Sequence, residues 1–194
     1  MLNKNNITGI ILAGGKSSRM GSDKALLKIN NTTFIEKIIE VMQPYVDEII
    51  IISNNSNHDR FNIRREEDFI KEAGPLAGLL TGLYRAKHEH IIALSCDIPM
   101  ISKKVIETLI TQADDAFEVN QIESEDKTMP LIAIYKKSCW KSIFKFLKND
   151  ERRLRVVVNS FNVKTIKLNL KDKNLVENIN TKQQLEALKD ATKN

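Results

Sequence analysis

Ile7-Thr8-Gly9-Ile10-Ile11-Leu12-Ala13-Gly14-Gly15-Lys16-Ser17-Ser18-Arg19-Met20-Gly21-Ser22-Asp23-Lys24 is the stretch on which the fold turns. Residues 7–12 form an apolar run of strand length, and the segment after them is rich in glycine, serine and cations. A strand that is apolar on both faces belongs in a parallel sheet covered by helices. Glycine lets the following backbone turn sharply and lets a ligand approach it closely. Exposed N–H groups in such a loop bind phosphate oxygens. Arg19, as a fork, and Lys24, as a point charge, are available to neutralise them. Two commoner phosphate motifs are excluded. Gly9 and Gly14 have the spacing of a GxxxxGK[ST] loop, but Gly15 intervenes before Lys16-Ser17, and GxGxxG is absent.

Outward from this stretch, apolar runs alternate with segments of helical period. Thr33–Tyr45 places Phe34, Ile38, Ile39, Val41 and Met42 on one side, with Pro44 in the last turn. Glu48–Ser53 reads as a second strand. Pro75–Lys87 reads as a helix with proline in its first turn, and Ile91–Ser95 as a third buried strand. Ser102–Gln112 is a helix with Ser102 as N-cap. The pattern then changes. Ala116–Ile122 and Met129–Tyr135 read as strands around an acidic connection, Ser138–Leu147 and Arg152–Phe161 as helices, and Val163–Leu168 as a strand. Thr181–Lys189 is a closing helix with Thr181 at its N-cap. The expected fold is α/β: a Rossmann-like, doubly wound, mostly parallel sheet with helices on both faces. We expect a single domain over 1–194, with 1–115 as a nucleotide-binding half and 116–194 as an acceptor-binding half.

Ligands of such folds bind beyond the carboxyl ends of the strands, here just after Leu12, Ser53 and Ser95 and near the helix start at Gly74. Asp97, in Ser95-Cys96-Asp97-Ile98-Pro99, ends the third buried run, where a carboxylate suits Mg²⁺. Gly74 and Gly78 bracket a helix N-terminus able to accept an anion or a flat ring. Upstream, Glu66-Glu67-Asp68 offers acceptors for ribose hydroxyls or a base edge. Cys96 reads as a small buried hydrophobe. Phe144, Phe146 and Phe161 read as core positions, and Trp140 as isolated.

Composition narrows the classes. The chain has 194 residues, 42% of them hydrophobic and 28% charged, enough to bury a core without a disulfide or structural metal. Two cysteines and three scattered histidines make neither a disulfide framework nor a zinc site, which favours a reducing cytoplasm. No stretch approaches the ~20 apolar residues of a membrane span. Lys4 followed by Ile7–Ala13 resembles a targeting segment only weakly and reads as a strand. The net charge of +5 is uneven: residues 136–194 carry +9 and the rest −4, a field that attracts anionic ligands or acidic partners.

The strings LAGGKSSRMGSDKALL (12–27), GPLAGL (74–79) and CDIPMI (96–101) together resemble the molybdenum cofactor guanylyltransferases, whose pattern is LAGGxSxRMGxDKxLL, GPLAG and CDxPxL in this order. Glu151-Arg152-Arg153-Leu154 and Glu177-Asn178-Ile179-Asn180-Thr181 resemble two later segments of that family. The resemblance implies a nucleotide-diphospho-sugar transferase-like fold. It also implies transfer of GMP from GTP to the phosphate of molybdopterin, with release of pyrophosphate. By matching positions, Leu12, Ala13 and Gly14 contact the nucleotide, Lys24 its phosphates, Asp68 the GTP, and Asp97 both GTP and the metal. Gly15, Arg19, Gly74, Gly78, Asn178 and Asn180 resemble positions around the pterin or the reacting phosphates. Arg19, Lys24 and Asp97 are thus the implied catalytic residues. An asparagine near the base falls on Ser53, Asn54 or Asn55, with Asn54 slightly favoured. The implied metal is Mg²⁺, with Mn²⁺ as the alternative. GTP and molybdopterin are the implied partners, apo-molybdoenzymes or other cofactor-biosynthesis proteins further ones; membrane and nucleic acid are not expected.

Three other readings share parts of this pattern. A molybdopterin cytidylyltransferase or a sugar-phosphate nucleotidyltransferase would use the same loop and metal logic; Gly14-Gly15 argues for guanine, since cytidylyl relatives read LAAG there. A non-catalytic nucleotide- or nucleic-acid-binding protein would draw on the basic C-terminal region, which lacks the aromatic interleaving of a stacking platform.

Overall fold

In a computed structural model, described here for residues 2–14 and 23–191, the expected alternation is present. The first strand is β1 (Ile7–Leu12). A small antiparallel ribbon follows, β2 (Lys28–Ile29) and β3 (Thr32–Thr33). Next come α1 (Phe34–Met42), β4 (Glu48–Ile52), β5 (Arg65–Glu66) and α2 (Pro75–Arg85). After them lie β6 (His90–Ser95), α3 (Lys103–Gln112), β7 (Val119–Ser124) and β8 (Lys127–Lys136). The chain continues through α4 (Cys139–Lys148), α5 (Leu154–Val158), β9 (Val163–Lys167) and α6 (Lys182–Ala191).

Seven strands make one sheet in the order β5-β4-β1-β6-β8-β7-β9. β5, β4, β1 and β6 run parallel, and β8 runs against both β6 and β7. β9 returns parallel to β7. The change of sequence pattern after Gln112 is the approach of this reversed strand. Successive residues of β1 point to opposite faces. Ile7 and Ile11 pack with α1 and α3, whereas Ile10 and Leu12 pack with α2, α4 and α5. A third, small cluster joins Ile29 and Phe34 to Ile179 and Leu185, and so pins the C-terminal segment to the β2–β3 ribbon.

Local chemistry sets the element ends. Thr33 and Glu36 form a reciprocal capping box at α1. Pro44 confines the chain after α1 to a 3₁₀ turn, so the helix ends at Met42 rather than Tyr45. Asn30 and Asn31 both have positive φ, as do Glu125 and Asp126. Each pair closes a two-residue hairpin of the kind that matches strand twist. The acidic connection at 123–127 is therefore one tight turn, and β8 extends to Lys127. Pro130, inside β8, falls where the β7–β8 register shifts, the place a strand tolerates its missing N–H. Its carbonyl accepts the hydroxyl of buried Tyr135 at 2.6 Å.

Several expectations are corrected. Ser102 precedes α3 in an extended conformation, but its hydroxyl does not cap the helix and has no hydrogen-bond partner. The segment read as a helix over 152–161 is helical over Leu154–Val158, and the strand expected from Ala116 begins at Val119. Phe144 is exposed beneath the ammonium of Lys148, 4.8 Å from its ring centre, rather than in the core. Trp140 is not isolated: its ring packs edge-on to Tyr84 at 5.2 Å.

α2 lies close on β1 because Gly82 has no side chain. A Cβ there would fall 2.6 Å from Ile10 Cδ1 and 3.2 Å from Ile10 Cβ. Ile10 is fully buried and cannot step aside. Gly82→Ala is therefore expected to destabilise the protein by about 1–3 kcal/mol despite alanine's higher helix propensity, measured as a lower urea midpoint at unchanged slope.

Candidate active site

The ends of β4, β1 and β6 lie side by side, with Leu12 in register with Ile52 on one side and Ser95 on the other. β1 leads to β4 on one flank, and the chain later crosses to β6 on the other, so this crevice is the topological switch point of the parallel part. Leu12 and Ala13 are buried, and Gly14 is exposed at the rim. Ala13 N–H bonds Ile52 O at 3.0 Å and Cys96 N–H bonds Leu12 O at 3.0 Å, which fixes the two loops that follow.

One group of candidate residues gathers on the β4 flank. A Cβ on Gly14 would lie 3.8 Å from Asp68 Oδ2, and one on Gly78 would lie 3.4 Å from Asp68 Oδ1. Asn54 grips Asp68 twice: its Nδ2 donates to Asp68 Oδ2 and its Oδ1 accepts from Asp68 N–H, both at 3.0 Å. The next residue is tied to α2, where Thr81 Oγ1 accepts Phe69 N–H at 3.0 Å. Ser53, Asn54 and Asn55 take three different settings. Ser53 Oγ is buried and accepts Asn55 N–H, Asn55 turns to Asp23, and Asn54 meets Asp68. Glu66 is paired with Arg64 and Arg85, and Glu67 with Arg65, so neither shares the setting of Asp68. Gly74 caps α2 at φ 68°, a conformation that favours glycine.

Burial raises the pKa of Asp68, and the hydrogen bond from Asn54 opposes this only in part. A carboxyl with a raised folded-state pKa contributes stability that is full below its unfolded value, about 3.9, and is lost as pH rises through the raised value. At neutral pH the ionised Asp68 is thus a cost to the fold. Asp68→Asn, which keeps an acceptor for Asn54, is expected to raise the thermal midpoint at pH 7–8, with the gain vanishing by pH 3.5. A midpoint unchanged at pH 8 would contradict this account.

A second group gathers on the β6 flank. Asp97 is half-buried, and the Ser95 hydroxyl hydrogen-bonds its Oδ1. Its backbone carbonyl accepts Ile179 N–H at 2.8 Å. Lys24 Nζ donates to Asn180 Oδ1 at 2.6 Å. Residues 178–180 thus come back across the sheet end to both Lys24 and Asp97; Asn178 is exposed there. Gly15, Lys16, Arg19 and Gly21 lie outside the described residues. Burial, with the neighbouring Asp97 charge, pushes the Cys96 thiol up to about 12, so it is no nucleophile.

Asp97 offers one orientated carboxylate, and among the described residues no group of three or more His, Cys, Asp or Glu side chains could hold a metal ion. That donor set fits Mg²⁺, which takes one or two carboxylates and completes its shell with phosphate oxygens and water. The arginines of the basic region are engaged by their own neighbours: Arg152 with Asp150, and Arg153 with Glu151, whose carboxyl it holds at about 2. Sequence reading passed over Asp23, His58 and Ser95. Asp23 lies inside the quoted loop motif, but the other two carry no local signal.

A family model described as the MobA-like NTP transferase domain matches residues 9–165. A probable molybdenum cofactor guanylyltransferase of Bacillus cytotoxicus is 34% identical over 92% of this chain and 94% of its own length. The molybdenum cofactor guanylyltransferase of Desulfosudis oleivorans is 32% identical over 96% of each. The crystal structure of molybdopterin-guanine dinucleotide biosynthesis protein A from Archaeoglobus fulgidus superposes with a TM-score of 0.82 over 96% of this chain and 98% of that one, at 19% identity, a likeness of fold. The family match begins inside β1 and ends inside β9, so it includes at least part of every strand of the seven-stranded sheet. Relatives above 30% identity extend over nearly the full length: the chain belongs to the MobA-like NTP transferase family.

Proposed function

We propose that this nucleotidyltransferase moves GMP from GTP to the phosphate of molybdopterin, giving molybdopterin guanine dinucleotide and pyrophosphate. The observation that carries the reading is the pairing of two flanks at one strand-end crevice. The Asn54–Asp68 pair faces the glycines on one side, and Lys24 and Asp97 meet residues 178–180 on the other. Relatives bearing the guanylyltransferase name align with 92% and 96% of this chain.

Each side chain then has a task. Asp68 accepts hydrogen bonds from the base edge or ribose, and Asn54 holds it in place. Gly14 and Gly78 leave room for the nucleotide against the backbone, and Leu12 and Ala13 form the floor. Gly74 opens α2 toward the ligand. Lys24, with Arg19 and Gly15 from the adjoining loop, takes the phosphates. Asn178 and Asn180 bring the acceptor to the same place, so residues 1–115 hold the nucleotide and 116–194 supply the acceptor side. Asp97 holds Mg²⁺ or Mn²⁺, which when bound polarises the phosphoryl oxygens and offsets their charge. The acceptor phosphate monoester carries about −1.5 to −2 near neutral pH. It is already a nucleophile and requires no general base from the protein. The task left to the chain is to bring two anions together in line, by positioning and by fixed positive charge. The two thiols, both free and buried, suit a reducing cytoplasm, and among the described residues no helix is long and apolar enough to cross a membrane.

The deciding experiment incubates purified protein with molybdopterin, molybdate and Mg²⁺, adds GTP or CTP separately, and weighs the pterin product. A guanine dinucleotide formed with GTP alone is the expected result. A cytosine dinucleotide would overturn the base assignment, and no product from folded protein would overturn the acceptor.

A further inference from the structure

His58 is fully buried on a 3₁₀ turn spanning Ser56–Phe61. Its Nε2 lies 2.9 Å from Asp23 Oδ2, an ion-pair distance, yet neither Nε2 nor Nδ1 completes a hydrogen bond of good geometry. A wholly buried imidazole that meets a carboxylate at ion-pair distance and completes no hydrogen bond is costly, so its place beside that carboxylate asks for a reason. Asp23 supplies one. Its Oδ1 accepts Ala25 N–H at 2.9 Å and so caps the short turn Lys24–Leu26. Its Oδ2 also accepts Asn55 Nδ2 at 2.6 Å. Burial pushes the Asp23 pKa up, but His58, Asn55 and Ala25 together outweigh it and hold the carboxyl below its usual range. Asp23 is thus an anionic rivet. One oxygen holds the turn that carries Lys24, and the other is fixed from the β4 loop by His58 and Asn55. From that turn Lys24 reaches Asn180.

We propose that His58 is a positioning residue for nucleotide use: through Asp23 it fixes the turn from which Lys24 meets the phosphates. The proposal rests on the functional reading above in assigning Lys24 to the nucleotide. It differs from a packing role in one respect, namely that the effect of His58 must pass through Lys24.

The test is a double-mutant cycle on the full chain. GTP affinity in the presence of Mg²⁺ is read by calorimetry, and kcat and KM for GTP by turnover with molybdopterin. His58→Phe keeps the ring volume and removes the nitrogen that faces Asp23, whereas His58→Gln keeps an N–H group near the Nε2 position. His58→Phe is expected to weaken kcat/KM for GTP about 10- to 100-fold, as a misplaced binding group does. His58→Gln is expected to recover most of that loss. In a Lys24→Ala background, His58→Phe is expected to cost less than threefold more. Equal losses in both backgrounds, or no rescue by glutamine at equal thermal stability, would overturn the proposal. If His58→Phe does not fold, Asp23→Asn serves in its place, since asparagine still caps the turn while the charge facing His58 is gone. An Asp23→Asn loss that ignores Lys24 would overturn the proposal equally. Protein that binds GTP but makes no dinucleotide defeats the functional reading alone, because the affinity cycle still decides the role of His58.

Discussion

Asp97→Ala is expected to lower turnover by about 10²- to 10³-fold, the usual consequence of removing a group that stabilises charge at the reacting centre. The fold should persist. The carbonyl that accepts Ile179 N–H belongs to the backbone and survives the substitution, and the Ser95 hydroxyl that loses its partner is part-exposed and can turn to water. What is lost is the orientated carboxylate at the end of β6 that is proposed to hold the metal ion. Steady-state turnover at saturating GTP and a thermal midpoint are the two measurements. A midpoint near wild type with turnover within threefold of it would remove Asp97 from the mechanism.

Lys24→Ala is expected to lower kcat/KM for GTP by about 10²-fold, with a large part of the loss in KM. Among the described residues Lys24 is held by a neutral carboxamide, that of Asn180, and not by a carboxylate. Its charge is therefore directed but not cancelled, the condition an anion-binding lysine needs. Lys24→Arg keeps the charge but replaces a compact ammonium with a planar fork, and is expected to recover only part of the activity. Lys16→Ala is expected to do less than Lys24→Ala. Equal losses at the two lysines would show that general positive charge, rather than the placed ammonium of Lys24, supports nucleotide use.

These expectations draw unequally on sequence and structure. Asp97 was legible because an aspartate followed by Ile-Pro at the end of a buried apolar run has few places to be in a doubly wound sheet. The acidic run at 66–68 was less so. Three carboxylates stand in a row there, and only the arginines at 64, 65 and 85 separate those used in surface pairing from Asp68, which is half-buried under Gly14 and Gly78. The exposed ring of Phe144 was misread because helical period marks a face without telling how far the opposing layer extends over it. The ring of Trp140 found a partner in Tyr84, 56 positions earlier in the chain, which no local pattern could announce.

By itself the sequence determined the order of the six longer strands and the six α-helices, though not the two-residue strands β2, β3 and β5, and pointed to the end of the sheet where the candidate site gathers. These are local properties: period of hydrophobicity, apolar runs long enough to be covered on both faces, and glycine and proline at the turns. Only the tertiary structure decided that β8 runs against its neighbours, that Asn54 rather than Ser53 or Asn55 holds Asp68, that Asp23 is shared by Asn55 and His58, and that Lys24 meets Asn180. The last pair is separated by 156 positions. Such contacts depend on how three cores pack together, and a short-range pattern carries no record of that.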